Sequence, residues 1–163
     1  MAKKIEISAN YKARLNGITI GETEKISAPK IVQTKVAHTS AAGDYEIATG
    51  HVEKMEASCV VYSENFIHYF ASGQMNDAEL DFTEALNYGA ETREGNFEFK
   101  GVLDIDVADS ERKGIKKVTL TMSCNRAYHE IDGVPVYHID FENNINMRGG
   151  IDTMEKTRQI IGG

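Results

Sequence analysis

The sequence has almost no proline and almost no cysteine: two of each among 163 residues, Pro29, Pro135, Cys59 and Cys124. Two cysteines set no disulfide framework. Both sit in apolar strand-like runs, where a free thiol is a small buried hydrophobe; a catalytic thiol is the competing reading. No Pro-rich or Ser-rich linker and no internal repeat divides the chain, so one domain spanning 1–163 is expected. At this size about 68–70% of the unfolded surface can be buried without metal or disulfide. Long apolar runs are missing too. Met1-Ala2-Lys3-Lys4 opens like a signal peptide, but no apolar stretch of about 7–15 residues follows. No segment reaches the ~20 apolar residues of a membrane helix. The expected location is the cytoplasm, or outside it by a route without a signal peptide.

Positive charge is in deficit. Lys and Arg total 18 against 25 Asp and Glu, for a net charge of −7. Surfaces that grip phosphate backbones need clustered Lys and Arg, which disfavours nucleic-acid binding. Catalytic signatures are also lacking: no nucleophile elbow, phosphate loop, dinucleotide fingerprint or paired metal cysteines. No enzymatic activity and no cofactor is expected. With 41% hydrophobic and 26% charged residues the chain is globular, not disordered.

What the sequence does have is period-two alternation. Asn16-Gly17 and Asp132-Gly133 are type I′ hairpin signals. Ile31 to His38 is strand-like. Val52 to Tyr62 places Met55, Ala57, Cys59 and Val61 on one face. Phe97 to Val107 does the same with Phe97, Phe99, Leu103 and Ile105, opposite Glu98, Lys100, Asp104 and Asp106. In the long run from Val118 to Ile131, Val118, Leu120, Met122, Cys124 and Tyr128 face one way. Thr119, Thr121, Ser123, Asn125 and His129 face the other. Helix signals are few: about Glu64 to Ser72, a weaker segment from Asn76 to Tyr88, and Asp152 to Ile160 with Asp152 as N-cap. His38 to Gly50 and Ala108 to Gly114 read as loops. The first is long for a connector and is either a floppy surface loop or an arm that orders against a partner. The expected class is mainly β, two packed antiparallel sheets as a sandwich or barrel with a short flanking helix.

Three constellations bear on chemistry. A regular Asp132-Gly133 hairpin puts His129 and His138 on one face as diagonal neighbours, with Asp140 nearby; a bridging metal and a simple His pair are both open, and no metal site is expected. The same register sets Tyr128 against Tyr137, either as a core pair or as a stacking platform for single-stranded nucleic acid. Asp104 and Asp106 alternate on a strand face as solvated charge. Short Thr, Ser and Asn side chains beside them suit a smooth surface that lines something.

A larger pattern lies at the C-terminus. Tyr137-His138-Ile139-Asp140 is followed by Gly150-Ile151-Asp152, then Glu155, Arg158 and Ile161-Gly162. Leu15-Asn16-Gly17 and Ala28-Pro29-Lys30-Ile31 stand near the other end. Together they resemble the major tail tube protein of contractile-tailed phages and R-type bacteriocins, over about two thirds of the chain. Residues 73 to 115 match poorly and carry a different, shorter arrangement than the family's strand pair. The resemblance implies a virion tail component assembled in the host cytoplasm: six copies in a ring with a continuous inner β-barrel, rings stacked into a hollow tube. It implies as partners further copies, a tail sheath, a baseplate initiator, a tape measure protein and DNA in passage, with no membrane binding. Asp104, Asp106, Thr119, Thr121, Ser123 and Asn125 would line the lumen. His38, Thr39, Ser40, Ala41, Ala42, Gly43, Asp44, Tyr45 and Glu46 would reach the next ring. Ile139, Asp140, Gly150, Ile151, Asp152, Arg158 and Ile161 would lie between subunits, within a C-terminal segment from Asn143. A type VI secretion tube protein and a single-stranded nucleic-acid-binding barrel are the alternatives.

Overall fold

The computed structural model describes residues 6–20, 23–62, 76–107, 112, 114 and 117–162. In chain order the strands are β1 (Glu6–Leu15), β2 (Ile18–Thr19), β3 (Thr23–Ser27), β4 (Gln33–Ser40), β5 (Gly43–Val52) and β6 (Met55–Tyr62). They continue with β7 (Ala78–Tyr88), β8 (Glu91–Val107), β9 (Lys117–Ile131), β10 (Val134–Asp140), β11 (Ile145–Arg148) and β12 (Ile151–Asp152). A short helix, α1 (Glu155–Ile161), ends the described chain.

Ten strands share one antiparallel sheet, ordered β12-β11-β10-β9-β8-β7-β1-β2, with β6 on β9 and β3 beyond β6. The two long strands, β8 and β9, run through both halves of it. One edge of β9 changes partner along its length, β6 over residues 117–124 and β10 over 126–131. The inward side chains of both halves form a single cluster. Met55, Ala57, Cys59 and Val61 of β6 join Leu80 and Phe82 of β7 and Ala13 and Leu15 of β1. The sheet therefore folds over its own apolar side as two layers, which is the expected sandwich; no closed barrel is present among the described residues. Tyr11 of β1 bridges the layers by donating its hydroxyl to the Glu24 carbonyl.

Both expected tight turns form. Asn16 (φ 50°) with Gly17 (φ 80°) and Asp132 (φ 50°) with Gly133 (φ 78°) have the left-handed pairs that type I′ turns require. Each turn also clips a neighbouring strand through its first residue. Asn16 Oδ1 accepts the Glu79 N–H at 2.9 Å, and Asp132 Oδ1 accepts the Glu94 N–H at 2.9 Å.

Two expectations are overturned. Residues 76–88 are not a helix: Ala78 to Tyr88 is strand β7, in unbroken register with β8 from Ala78↔Gly101 to Tyr88↔Glu91. Ala, Glu and Leu favour helix, but Ala78, Leu80, Phe82 and Leu86 bury with strand spacing, and a ladder on both edges outweighs propensity. Residues 73–115 thus carry two long paired strands, β7 and β8, among the described residues. Nor is 38–50 a loop. It belongs to a separate two-stranded hairpin, β4–β5, in register from Lys35↔Ala48 to Ser40↔Gly43, with Gln33↔Val52 beyond a register shift. The helix expected at about 64–72 lies outside the described residues, as does most of the turn expected at 108–114.

Candidate functional site

The surfaces that matter follow from one irregularity. In β9, Lys100↔Arg126 and Gly101↔Cys124 leave Asn125 without a partner in β8. Asn125 is a bulge residue, and it reverses the side-chain alternation of everything after it. Before it, Val118, Leu120, Met122 and Cys124 point into the core; after it, Ala127 does. His129 consequently lies on the inner side, stacked on Phe97 with centroids 3.9 Å apart and an interplanar angle of 11°. Tyr128 is carried to the outer side, where its hydroxyl donates to Glu130 Oε2 at 2.8 Å.

A second bulge shifts the hairpin partner strand. Pro135 pairs with Glu130 and Tyr137 with His129, leaving Val136 out of the ladder. His129 and His138 therefore lie on opposite faces, and the metal-bridging geometry of a regular hairpin does not exist. Tyr128 and Tyr137 are likewise on opposite faces. Their partners are His138 (5.6 Å, edge-on) and His129 (5.5 Å, edge-on), which removes the paired-tyrosine platform. Burial, followed by the charge of Arg126, holds the His138 imidazole below its ordinary pKa, so it is neutral at pH 7. Both thiols are buried, and burial pushes Cys59 up to about 12 and Cys124 up to about 11. Thiols so protonated are inert at neutral pH.

The N-terminal half of β9 behaves as the alternation dictates. Asp104↔Thr121 and Asp106↔Thr119 pair across β8 and β9, with Val102↔Ser123 beside them. On the other side Glu56↔Ser123, Ser58↔Thr121 and Val60↔Thr119 extend the row into β6. Lys25↔Val60 and Ser27↔Ser58 extend it into β3. Asp104, Asp106, Thr119, Thr121 and Ser123 thus share the solvent side of one four-stranded layer, β3-β6-β9-β8. Asn125 is exposed at its bulged end.

Among the described residues, hairpin β4–β5 makes no ladder with the main sheet. Its turn holds Ala41 and Ala42, with Ser40 Oγ donating to the Gly43 carbonyl at 2.9 Å. His38, Thr39 and Ser40 end β4, and Gly43, Asp44, Tyr45 and Glu46 begin β5. One hairpin face carries Val36 opposite Ile47 and His38 opposite Tyr45. Val36 is 56% exposed, Tyr45 50% and Ile47 48%. A hairpin standing alone is marginally stable in water, and this one holds four large side chains up to solvent.

The C-terminal residues divide into structural and surface groups. Ile139 is wholly buried in the chain's own core. Asp140 caps the β10–β11 turn, accepting from the N–H groups of Glu142 (3.0 Å) and Asn143 (3.1 Å) and from Asn143 Nδ2 (2.7 Å). Burial alone would raise its pKa, but these bonds and Arg126 hold it below the ordinary carboxylate value. Asp152 is not an N-cap but a residue of β12. Its carboxylate takes Arg158 Nη2 at 2.5 Å and the N–H groups of Met154 (3.0 Å) and Asn146 (3.3 Å). Met154 occupies the N-cap position of α1 without a side-chain bond. Gly150 lies in the β11–β12 turn. No residue of α1 is buried, and Ile151, Ile160 and Ile161 are 71%, 75% and 63% exposed. A cleft of about 250 Å³ lies between this segment and the hairpin base, lined by Gly50, His51, Val52, Ile139, Phe141 and Met154 among others.

The tertiary arrangement has counterparts among solved structures. A sheath/tube terminator of an extracellular contractile injection system in the extended state aligns with a TM-score of 0.54 at 10% identity, covering 75% of this chain and 94% of that one. The tube-terminating cap of the anti-feeding prophage aligns with a TM-score of 0.54 at 10% identity, covering 74% and 87%. A chain of a sheath–tube complex in the extended state gives 0.50, also at 10% identity. At such identity these likenesses show a common fold. No curated protein matches the sequence. A family model does, over residues 9–162, and its match spans nearly the whole described chain. The chain belongs to the family of the phage tail tube protein FII, a family of structural proteins without enzymatic activity.

Proposed function

We propose that six copies of this chain form a ring, and that rings stack into the hollow inner tube of a contractile tail. The observation that carries this reading is hairpin β4–β5, which holds Val36, Tyr45 and Ile47 exposed and joins no other strand among the described residues. Its use is to reach the neighbouring ring and bury that face there. Ile151, Ile160 and Ile161 on the C-terminal segment bury against the adjacent subunit in the same way, with Gly150, Asp152 and Arg158 holding the segment in place. Head-to-tail stacking is a heterologous contact that does not close, so it yields a tube.

The layer bearing Asp104, Asp106, Thr119, Thr121, Ser123 and Asn125 lines the lumen. Basic walls would bind phosphates by counterion release and slow a passing nucleic acid; small polar and acidic side chains avoid this. The tube conducts DNA after a tape measure protein, starts from a baseplate initiator and is enclosed by a sheath. It forms in the host cytoplasm and resides in the virion tail. Negative-stain electron microscopy of the purified chain across a concentration series tests this. Rings with a central hole, or stacked tubes, are expected at high concentration. Uniform small particles throughout, with or without an added baseplate initiator, would overturn the reading.

A further inference from the structure

Layer β3-β6-β9-β8 ends in two unlike edges. Strand β7 pairs with β8 only as far as Gly101, so among the described residues one edge of β8 from Val102 to Val107 has no partner strand. At the other end β3 pairs with β6, and its second edge has no partner strand among the described residues. All three ladders within the layer are antiparallel. Four alternating strands leave β3 and β8 running in opposite directions. A copy rotated about a common axis therefore offers its β3 to the first copy's β8 in antiparallel sense, the sense that gives straight inter-strand hydrogen bonds.

Charge separates the two edges as well. Within the layer, Glu24 is paired to Lys117 at 3.0 Å and Glu56 to Lys54 at 4.0 Å. Three exposed charges on the same solvent side have no ion-pair partner among the described residues. Lys25 is on the β3 edge; Asp104 and Asp106 are on the β8 edge. Resting on the ring reading above, the geometry points to an intersubunit seam in which Lys25 of one copy pairs with Asp104 and Asp106 of the next. Setting Lys25 opposite Asp104 places Lys25, Ile26 and Ser27, the part of β3 beyond its own register shift, against residues 102–104 and leaves Asp106 diagonal to Lys25, both within side-chain reach. Pairing β8 with β8 would set aspartate against aspartate, and β3 with β3 would set Lys25 against itself. Like charges disfavour both. Only the head-to-tail pairing attracts, and it is the one that closes rings. The seam thus selects its own partner edge, and it neutralises part of the acidic lumen.

Zero-length carbodiimide coupling of assembled wild-type chain, mapped by mass spectrometry, reads the seam directly. Within one chain Lys25 and Asp104 are three strand spacings apart, about 14 Å along the layer, beyond the reach of an amide bond. A Lys25–Asp104 or Lys25–Asp106 product therefore reports two copies, and mixing isotopically light and heavy chains checks this. Lys25→Glu should abolish rings and tubes at concentrations where wild type assembles, and adding Asp104→Lys with Asp106→Lys to it should restore them. Wild-type tubes that give no such product, or a Lys25→Glu chain that assembles normally, would overturn the seam while leaving the ring reading intact. A wild-type chain with neither rings nor product would overturn both.

Discussion

A Cβ placed on Gly101 would sit 1.9 Å from the carbonyl oxygen of Ser123, at the bulge where β8 and β9 change register. Only glycine lets the strands approach so closely, and the obstacle is backbone, which cannot swing aside. Gly101→Ala should lower unfolding stability by at least about 2 kcal/mol. Gly95→Ala provides the comparison within the same strand. Its Cβ would lie 3.3 Å from Leu86 Cδ1, the movable end of a side chain, so a change under about 1 kcal/mol is expected. Urea denaturation of the two variants side by side decides the point.

Asp81 lies half-buried on the outer side of β7. Burial first, then the charges of Glu79 and Glu98, raise its pKa to about 6 against the opposing charges of Arg14 and Arg126. A carboxyl whose folded pKa is raised favours the fold below its unfolded pKa near 4. That contribution is lost as pH climbs toward 6, and above this the ionised group is a standing cost. After allowance for solvent screening the cost is about 1 kcal/mol. Asp81→Asn should therefore raise the melting temperature by about 2–4 °C at pH 8 and leave it unchanged at pH 4. Circular-dichroism melts at the two pH values measure it, and an equal effect at both would contradict the account.

The sequence makes the core legible wherever alternation runs unbroken. Met55, Ala57, Cys59 and Val61 bury as their spacing requires, and Asp104, Asp106, Thr119, Thr121 and Ser123 fall on one face for the same reason. What cannot be read is an inserted residue. Asn125 and Val136 each add one position to a strand, and nothing in their side chains marks them, yet Asn125 moves Tyr128 outward and His129 inward. Strand β7 is hidden by its composition. Its Glu, Ala and Leu residues are helix formers, and only the ladder with β8 and β1 decides. Hairpin β4–β5 did leave a trace in the alternation of Tyr45, Ile47 and Thr49, but Ser40-Ala41-Ala42-Gly43 looks like slack chain. The free edges of the four-stranded layer depend on which strands pair, and alternation within a strand holds no such information.

The hairpin separates folding from assembly. Val36 and Ile47 face each other across it and are exposed in the single chain, so replacing both with serine removes little buried apolar area. The double variant Val36→Ser, Ile47→Ser should keep its unfolding stability within about 0.5 kcal/mol of wild type. Stacking of rings should be lost, because the side chains that bury between rings are gone. Sedimentation velocity combined with electron microscopy distinguishes single rings from tubes. Tubes of normal length would show that the hairpin face is not an inter-ring contact.

With none of its own residues buried, helix α1 is tied back through Arg158, which donates to the Asp152 carboxylate (2.5 Å) and to the Asn144 carbonyl (2.7 Å). Arg158 is the first cause of the lowered Asp152 pKa, followed by the N–H groups of Met154 and Asn146 against an opposing desolvation effect. A carboxylate whose folded pKa is depressed contributes fully above its unfolded value near 4, and the contribution disappears as pH falls through the lower folded value. The helix should therefore detach on acidification below pH 4 while the sheet core remains folded. Asp152→Asn should release it even at pH 7, because a neutral amide cannot take the guanidinium in the same way. Backbone amide shifts of residues 155–162 report the release, and those of β6 and β9 report the core. Coincident loss of both sets would mean that α1 is part of the cooperative fold. Loss of the helix alone would leave Ile160 and Ile161 on a tethered segment that orders when a neighbouring subunit covers it.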